Sequence, residues 1–141
     1  MLKNAADQDV PIFCPALTDA EVGNFLYYYQ QTTDERVGIE ILEDYEDLIE
    51  RGLLAEETGL IVLGGGVPKH HAIMTNLFRG GADHAIYVST GMEGDGSLSG
   101  APPNEAVSWG KIKDEQTNYV QIEAEATLVV PLLVAGAFEL D

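Results

Sequence analysis

Glu105, Trp109 and Lys111 fall close together in the run Asn104-Glu105-Ala106-Val107-Ser108-Trp109-Gly110-Lys111. A lysine crowded by apolar surface loses protonation, and a neutral lysine is a nucleophile that forms imines. A carboxylate beside an indole suits an organic cation, since one supplies charge and the other a π-face. Glu105 and Trp109 stand four apart, so a helical turn puts them on one face, and Asn104 is placed to cap that turn. The same residues also describe a surface loop with a buried tryptophan and a solvated lysine. His70, at a helix start beside a glycine turn, is a candidate acid–base group. His70 and His71 do not face one site, and no cysteine or second histidine cluster completes a ligand set, so no metal is expected.

The elements that must position these groups can be read around them. The stretch Thr90 to Lys111 holds five glycines and two prolines and is too long for a mere connector. Before it, Ala85–Val88 reads as a strand. Gly59–Leu63 is a continuous apolar run, the pattern of a strand buried on both faces of a parallel sheet. Gly64-Gly65-Gly66 follows, then a helix with Pro68 at its first position that carries Ile73, Met74, Leu77 and Phe78 and stops at Gly80-Gly81. Strand, glycine turn and helix N-terminus form the geometry that binds dinucleotides, although three consecutive glycines are also simply a tight turn. Tyr119–Ala126 alternates as a half-exposed strand, and Thr127 caps a last helix, Leu128–Phe138. Upstream, Met1–Asp9 is polar, Val10–Leu17 reads as a buried strand, and Thr18 and Glu21 have capping-box spacing before a helix with Val22, Phe25, Leu26 and Tyr29. Asp34–Arg51 is a second helix with Gly52 as its stop. Strands alternating with helices give an α/β class, a Rossmann-like mainly parallel sheet of about four strands, in a single domain over residues 1–141.

Charge limits the partners. The chain has 24 acidic and 7 basic residues, a net charge of −17. Non-specific binding to nucleic acid or an anionic membrane is excluded, and a salt-rich cytoplasm fits, where screening removes self-repulsion. Cys14, the one cysteine, lies in an apolar run and reads as a structural thiol. No signal peptide and no apolar run of membrane-spanning length is found, so a cytoplasmic location is expected.

Five stretches carry a family resemblance: FCPALTDAEVG (residues 13–23), LIVLGGGVPKHH (60–71), GADHAIYVST (81–90), DGSLSGAPPNEAVSWGKI (95–112) and EATLVVPLLVA (125–135). Together they resemble deoxyhypusine synthase over almost the whole chain, and the DGS-x-SGA…EAVSWGK pattern is highly specific. The resemblance implies NAD-dependent transfer of a butylamine group from spermidine to one lysine of a translation factor. It implies Lys111 as the imine-forming lysine, His70 as the acid–base or amine-contacting group, and Glu105 and Trp109 as holders of the cationic chain. Asn24, Gly96, Ser97 and Leu98 would complete the substrate site. Asp19, Gly65, Thr90, Gly91, Ser99, Glu125 and Ala126 would contact NAD.

The chain departs from the family pattern at four places, one of them the mild change of an ADA motif to AEA at Glu125. Leu98 stands where eukaryotic members carry an aspartate in DGSDSG, Asn24 replaces a second aspartate, and Met74 replaces an asparagine. Losing two carboxylates weakens the hold on a second or third ammonium, so the amine could be agmatine or a shorter one. A homospermidine-forming relative and a non-catalytic partner subunit remain alternative readings. Family members are longer, with the additional part N-terminal. The chain alone is therefore expected to be inactive and to work as a homo- or hetero-oligomer with an N-terminal partner chain.

Overall fold

The computed structural model describes residues 2–114 and 118–138. The chain forms two compact units, Met1–Glu50 and Arg51–Asp141. The first unit carries helix α1 (Leu2–Asp7), a 3-10 turn at Leu17–Asp19, helix α2 (Glu21–Thr32) and the start of helix α3 (Ile41–Leu54).

Several boundaries here correct the sequence reading. Val10–Leu17 is not a buried strand: it has no strand partner among the described residues, and Val10 and Ile12 are exposed. Pro11 and Pro15 each remove a backbone donor, which unsuits the run for a ladder. Thr18 does not cap α2; it lies inside the 3-10 turn, and Ala20 takes the N-cap position without a side-chain bond. The second helix starts at Ile41 rather than Asp34, because Val37, Gly38 and Ile39 are poor helix formers. It also runs past Gly52 to Leu54. Arg79 makes that possible by donating from Nε to the Gly52 carbonyl (2.9 Å) and from Nη2 to the Ala55 carbonyl (3.2 Å), which satisfies the exposed end of the helix.

The second unit is built on a parallel sheet of β1 (Gly59–Leu63), β2 (His84–Ser89) and β3 (Tyr119–Glu123), in the order β1-β2-β3. Among the described residues the sheet has three strands, not four, and the α/β class with a parallel sheet and flanking helices holds. Val62 pairs with Tyr87, and Tyr87 with Gln121, so these residues share one face. That face is closed by α4 (Gly66–Leu77) and α5 (Pro103–Ser108), whose Ile73 and Ala106 join Val62, Ala85, Tyr87 and Ile112 in the buried core. Helix α6 (Ala126–Phe138) packs on β2. The expectation that β1 is buried on both faces is not met: Ile61 is 69% and Leu63 51% exposed. An uninterrupted apolar run marks surface that has affinity for cover, not surface already covered.

Three helix starts also differ. Pro68 is the third residue of α4, still within the first turn, where a missing N–H costs nothing. Asn104 does not cap α5; Pro102 holds the N-cap and Pro103 the first helical position. Thr127 lies inside α6, and the Glu125 carboxylate caps it instead, accepting from the Thr127 N–H (3.0 Å) and hydroxyl. That start shortens β3, which ends at Glu123.

Candidate active site at the carboxyl end of the sheet

Lys111 is positioned by how α5 ends. The Gly110 N–H donates to the Val107 carbonyl (2.8 Å) and the Lys111 N–H to the Ala106 carbonyl (2.9 Å). With Gly110 at φ 70°, this is a Schellman ending, which needs a left-handed residue and so favours glycine. The chain after it is pinned as well. Ile112 is buried and bridges in parallel to Ala82, with the Ala82 N–H donating to the Lys111 carbonyl at 3.0 Å. The side chain of Lys111 therefore leaves from a fixed point on the wall of a cavity.

The opposite wall comes from the first turn of α4. Gly64 and Gly66 both have positive φ, and the Gly66 N–H donates to the Ser99 hydroxyl at 2.9 Å. A Cβ on Gly65 would stand 2.6 Å from the Ser99 Cβ, so the glycine turn allows the loop after β2 to close down on it. One turn on, Lys69 is buried. Its Nζ donates to the carbonyls of Leu98 (3.1 Å), Ser99 (3.4 Å) and Ala101 (2.8 Å) and lies 4.6 Å from the centre of the Tyr87 ring. Burial pulls the Lys69 ammonium below the usual lysine range, and the Glu105 carboxylate opposes that shift.

Between these walls lies a cavity lined by Lys69, His70, Tyr87, Leu98, Glu105 and Lys111, among others. Tyr87 is 3% exposed, and its hydroxyl has no hydrogen-bond partner among the described residues. Burial, then the Glu105 carboxylate, pushes its pKa up to about 12. A buried hydroxyl left without a partner at a cavity marks a place where a ligand can supply the missing bond. An outer groove continues past Leu98 and Glu105 along Glu93, Gly96, Ser97 and Asn104.

The structure thus brings His70, Leu98, Glu105 and Lys111 to one cavity, with Gly96 and Ser97 along the groove beside it. Trp109 is not a lining residue; it is 65% exposed, with Lys111 Nζ 5.7 Å from its ring centre. It sits at the C-cap of α5, and its N–H donates to the Glu105 carbonyl, so spacing of four did not produce a shared wall. Asp19 closes the 3-10 turn of the first unit, and Asn24 lies on α2, where it donates to Glu21 at 3.4 Å. Gly65, Thr90, Gly91, Glu125 and Ala126 all follow the last residues of β1, β2 or β3, and Ser99 meets Gly65 there. This is the edge at which open parallel sheets bind ligands. Among the described residues no group of His, Cys, Asp and Glu side chains could hold a metal ion, and no helix is long and apolar enough to cross a membrane.

Sequence reading missed Lys69 and Tyr87 as parts of the cavity. Tyr87 left a signal, a hydroxyl inside the apolar run of β2. Lys69 left none, because its acceptors are backbone carbonyls far along the chain.

Comparisons with known proteins show the family. A family model described as deoxyhypusine synthase matches residues 1–137. The chain is 79% identical over 141 residues to a probable deoxyhypusine synthase of Halobacterium salinarum, covering 99% of this chain and 43% of that protein. It is 53% identical over 131 residues to a probable deoxyhypusine synthase of Pyrococcus abyssi, covering 92% of this chain and 39% of the relative. A deoxyhypusine synthase of Caenorhabditis elegans is 49% identical over 134 residues, with 95% and 36% covered. The chain spans less than half the length of each of these relatives. Over that span the chain belongs to the deoxyhypusine synthase family.

Proposed function

We infer that this chain carries the nucleophile-bearing part of an NAD-dependent aminobutyl transferase, which moves the four-carbon end of spermidine or a related amine to a lysine of a translation factor. The observation that supports this most is the convergence of Lys111, His70 and Glu105 on one cavity in a chain of this family. NAD, when bound, supplies the acceptor for a hydride from the amine and returns it at the end. In its neutral form the Lys111 amine attacks the carbon of the oxidised amine, expels the departing amine and holds the four-carbon part as an imine. The acceptor lysine then attacks that imine carbon and frees Lys111. His70, exposed at the cavity edge, takes and returns the protons these exchanges move. Glu105 faces the terminal ammonium, and the exposed Trp109 ring offers a π-face at the approach to Lys111.

The residues at the carboxyl edge suit parts of the cofactor. The exposed Glu125 carboxylate and Thr90 hydroxyl can bond ribose hydroxyls. The Gly66 N–H already serves Ser99, so α4 offers less to a diphosphate than a bare glycine turn would. Because the chain corresponds to 43% of the Halobacterium relative, the reaction is assigned to this portion working with the portion of the family it does not span, in a homo- or hetero-oligomer. The isolated chain is expected to bind NAD weakly and not to reduce it.

Borohydride trapping tests the assignment. With NAD and amine added to the assembly isolated from its host, the adduct is expected on Lys111; an adduct on Lys113 would overturn the assignment. Leu98→Asp is expected to improve the use of spermidine over a less charged amine, as Leu98 lines both cavity and groove. An unchanged preference would remove Leu98 from the amine's path.

A further inference from the structure

Two lysines line the same cavity, and their surroundings differ. An ammonium has three N–H donors. Those of Lys69 converge with three carbonyls, from Leu98, Ser99 and Ala101, and its side chain lies against the Tyr87 ring. Among the described residues Lys111 Nζ makes no hydrogen bond, and its recorded neighbour is the Trp109 ring. A nitrogen committed to three carbonyls has no lone pair to present to a carbon atom.

We propose that Lys69 is a positioning residue, the anchor that holds the turn at residues 98–101 against α4 and so sets the cavity wall. The turn has its own bonds, Gly100 N–H to the Ser97 carbonyl (3.0 Å) and Ala101 N–H to the Leu98 carbonyl (3.3 Å). These local bonds close the turn but do not tie it to a helix or strand. Gly100 packs closely on the Met92 backbone, but among the described residues the hydrogen bonds that tie the turn to another element run to the first turn of α4, through the Gly66 N–H on the Ser99 hydroxyl and through Lys69. Leu98 stands between cavity and groove, so its place depends on this anchor. The point-like ammonium with rotating donors suits three convergent carbonyls, where the planar fork of arginine does not. As far as the amine is concerned, the inference rests on the transfer reading given above.

The test combines hydrogen exchange with trapping. In Lys69→Met, exchange of the amides at residues 98–101 is expected to rise tenfold or more while that of β2 stays at the wild-type rate. In the assembly, the borohydride adduct is expected to remain on Lys111, with KM for the amine raised about tenfold and kcat changed far less. Unchanged exchange at the turn overturns the proposal, as does an adduct on Lys69 in the wild type. If β2 loses protection in Lys69→Met, Lys69→Arg decides: it keeps the charge, and the turn is expected to exchange several-fold faster, whereas wild-type exchange refutes the anchor. A wild-type protein that forms no adduct on any lysine removes the transfer reading, and the exchange result still decides the anchor.

Discussion

The two ends of the parallel sheet use charge in opposite ways. At the amino end, Thr58, Asp83 and Asn118 each stand one residue before a strand and bond across to one another's elements. Asp83 accepts from the Thr58 N–H (2.8 Å), from Arg79 Nη1 (2.6 Å) and from Lys113 Nζ, and Arg79 reaches the end of α3 as well. Among the described residues the Asn118 side-chain oxygen is the one buried side-chain polar atom there without a partner. At the carboxyl end, Tyr87 has a buried hydroxyl without a partner among the described residues, Lys111 lines a cavity, and Glu105 acts on both Tyr87 and Lys69 by charge. Matched polar groups hold a fold together, and unmatched ones persist where a ligand is to complete them. The difference therefore separates the stabilising end from the end that carries the candidate site without reference to any relative.

The sharpest way to break this comparison is a pair of substitutions. Lys111→Arg is expected to cut transfer by the assembly roughly a thousandfold or more, because a guanidinium stays charged and cannot form an imine. The thermal midpoint of the same variant is expected to stay close to the wild type. A large drop in melting temperature would mean that the reacting end also carries stability. Asp83→Asn is expected to do the reverse, costing about 3 kcal/mol in denaturant unfolding by leaving the largely buried Arg79 charge without its partner.

Acid sharpens the same contrast. The Asp83 carboxyl is held well below the usual carboxylate range, by Lys113 first and then by the Thr58 N–H and Arg79. Its folded value lies below the unfolded one near 3.9. The stability it contributes is present above about pH 4 and is lost as pH falls toward the folded value. Unfolding free energy measured from neutral pH into acid is expected to fall steeply there in the wild type and less steeply in Asp83→Asn. Equal slopes would show that Asp83 is not the group responsible.

Gly110→Ala has a smaller expected effect, about 1–2 kcal/mol from forcing a Cβ into the left-handed region. Because the strain falls beside Lys111, adduct formation is expected to slow even at temperatures where the variant is fully folded. The smallest effect belongs to Tyr87→Phe. Its hydroxyl has no partner to lose, so stability is expected to change by no more than about 1 kcal/mol. The folded pKa of about 12 exceeds the unfolded value near 10. Its contribution to stability is thus full below about pH 10 and declines as pH climbs through the folded value. Tyrosinate difference absorbance, wild type minus Tyr87→Phe, is expected to show that late ionisation, moved earlier by Glu105→Gln.

What the sequence revealed follows from which signals are local. Gly59–Leu63 was legible to the residue, since a short apolar run closed by glycines has few other readings. The grouping of Lys111, Glu105 and His70 at one cavity was legible because dense, specific motifs carry them. Helix starts were not: Thr18, Asn104 and Thr127 all have capping chemistry, yet Ala20, Pro102 and Glu125 stand at those ends. A side chain that can cap competes with every neighbour that can, and the outcome depends on the path of the chain. Trp109 misled by spacing, because α5 ends where the shared face was to continue. Lys69 was invisible for the opposite reason, as its role consists of contacts with backbone that only folding brings near.

The way α5 ends has a consequence for timing. Six residues make a helix too short to persist by itself, so the Lys111 backbone owes its place to long-range contacts: Pro103 and Ala106 of α5 and Ile112 after it are buried, and the Ala82 backbone pairs with Lys111 and Lys113. Local opening of such a segment is cheaper than global unfolding and occurs far more often. An opening there would carry the amine away from the cavity, and closing would return it. The share of time the lysine stands ready is then expected to fall on warming before the sheet beneath it melts, which amide exchange at residues 111–113 measured against β2 would show.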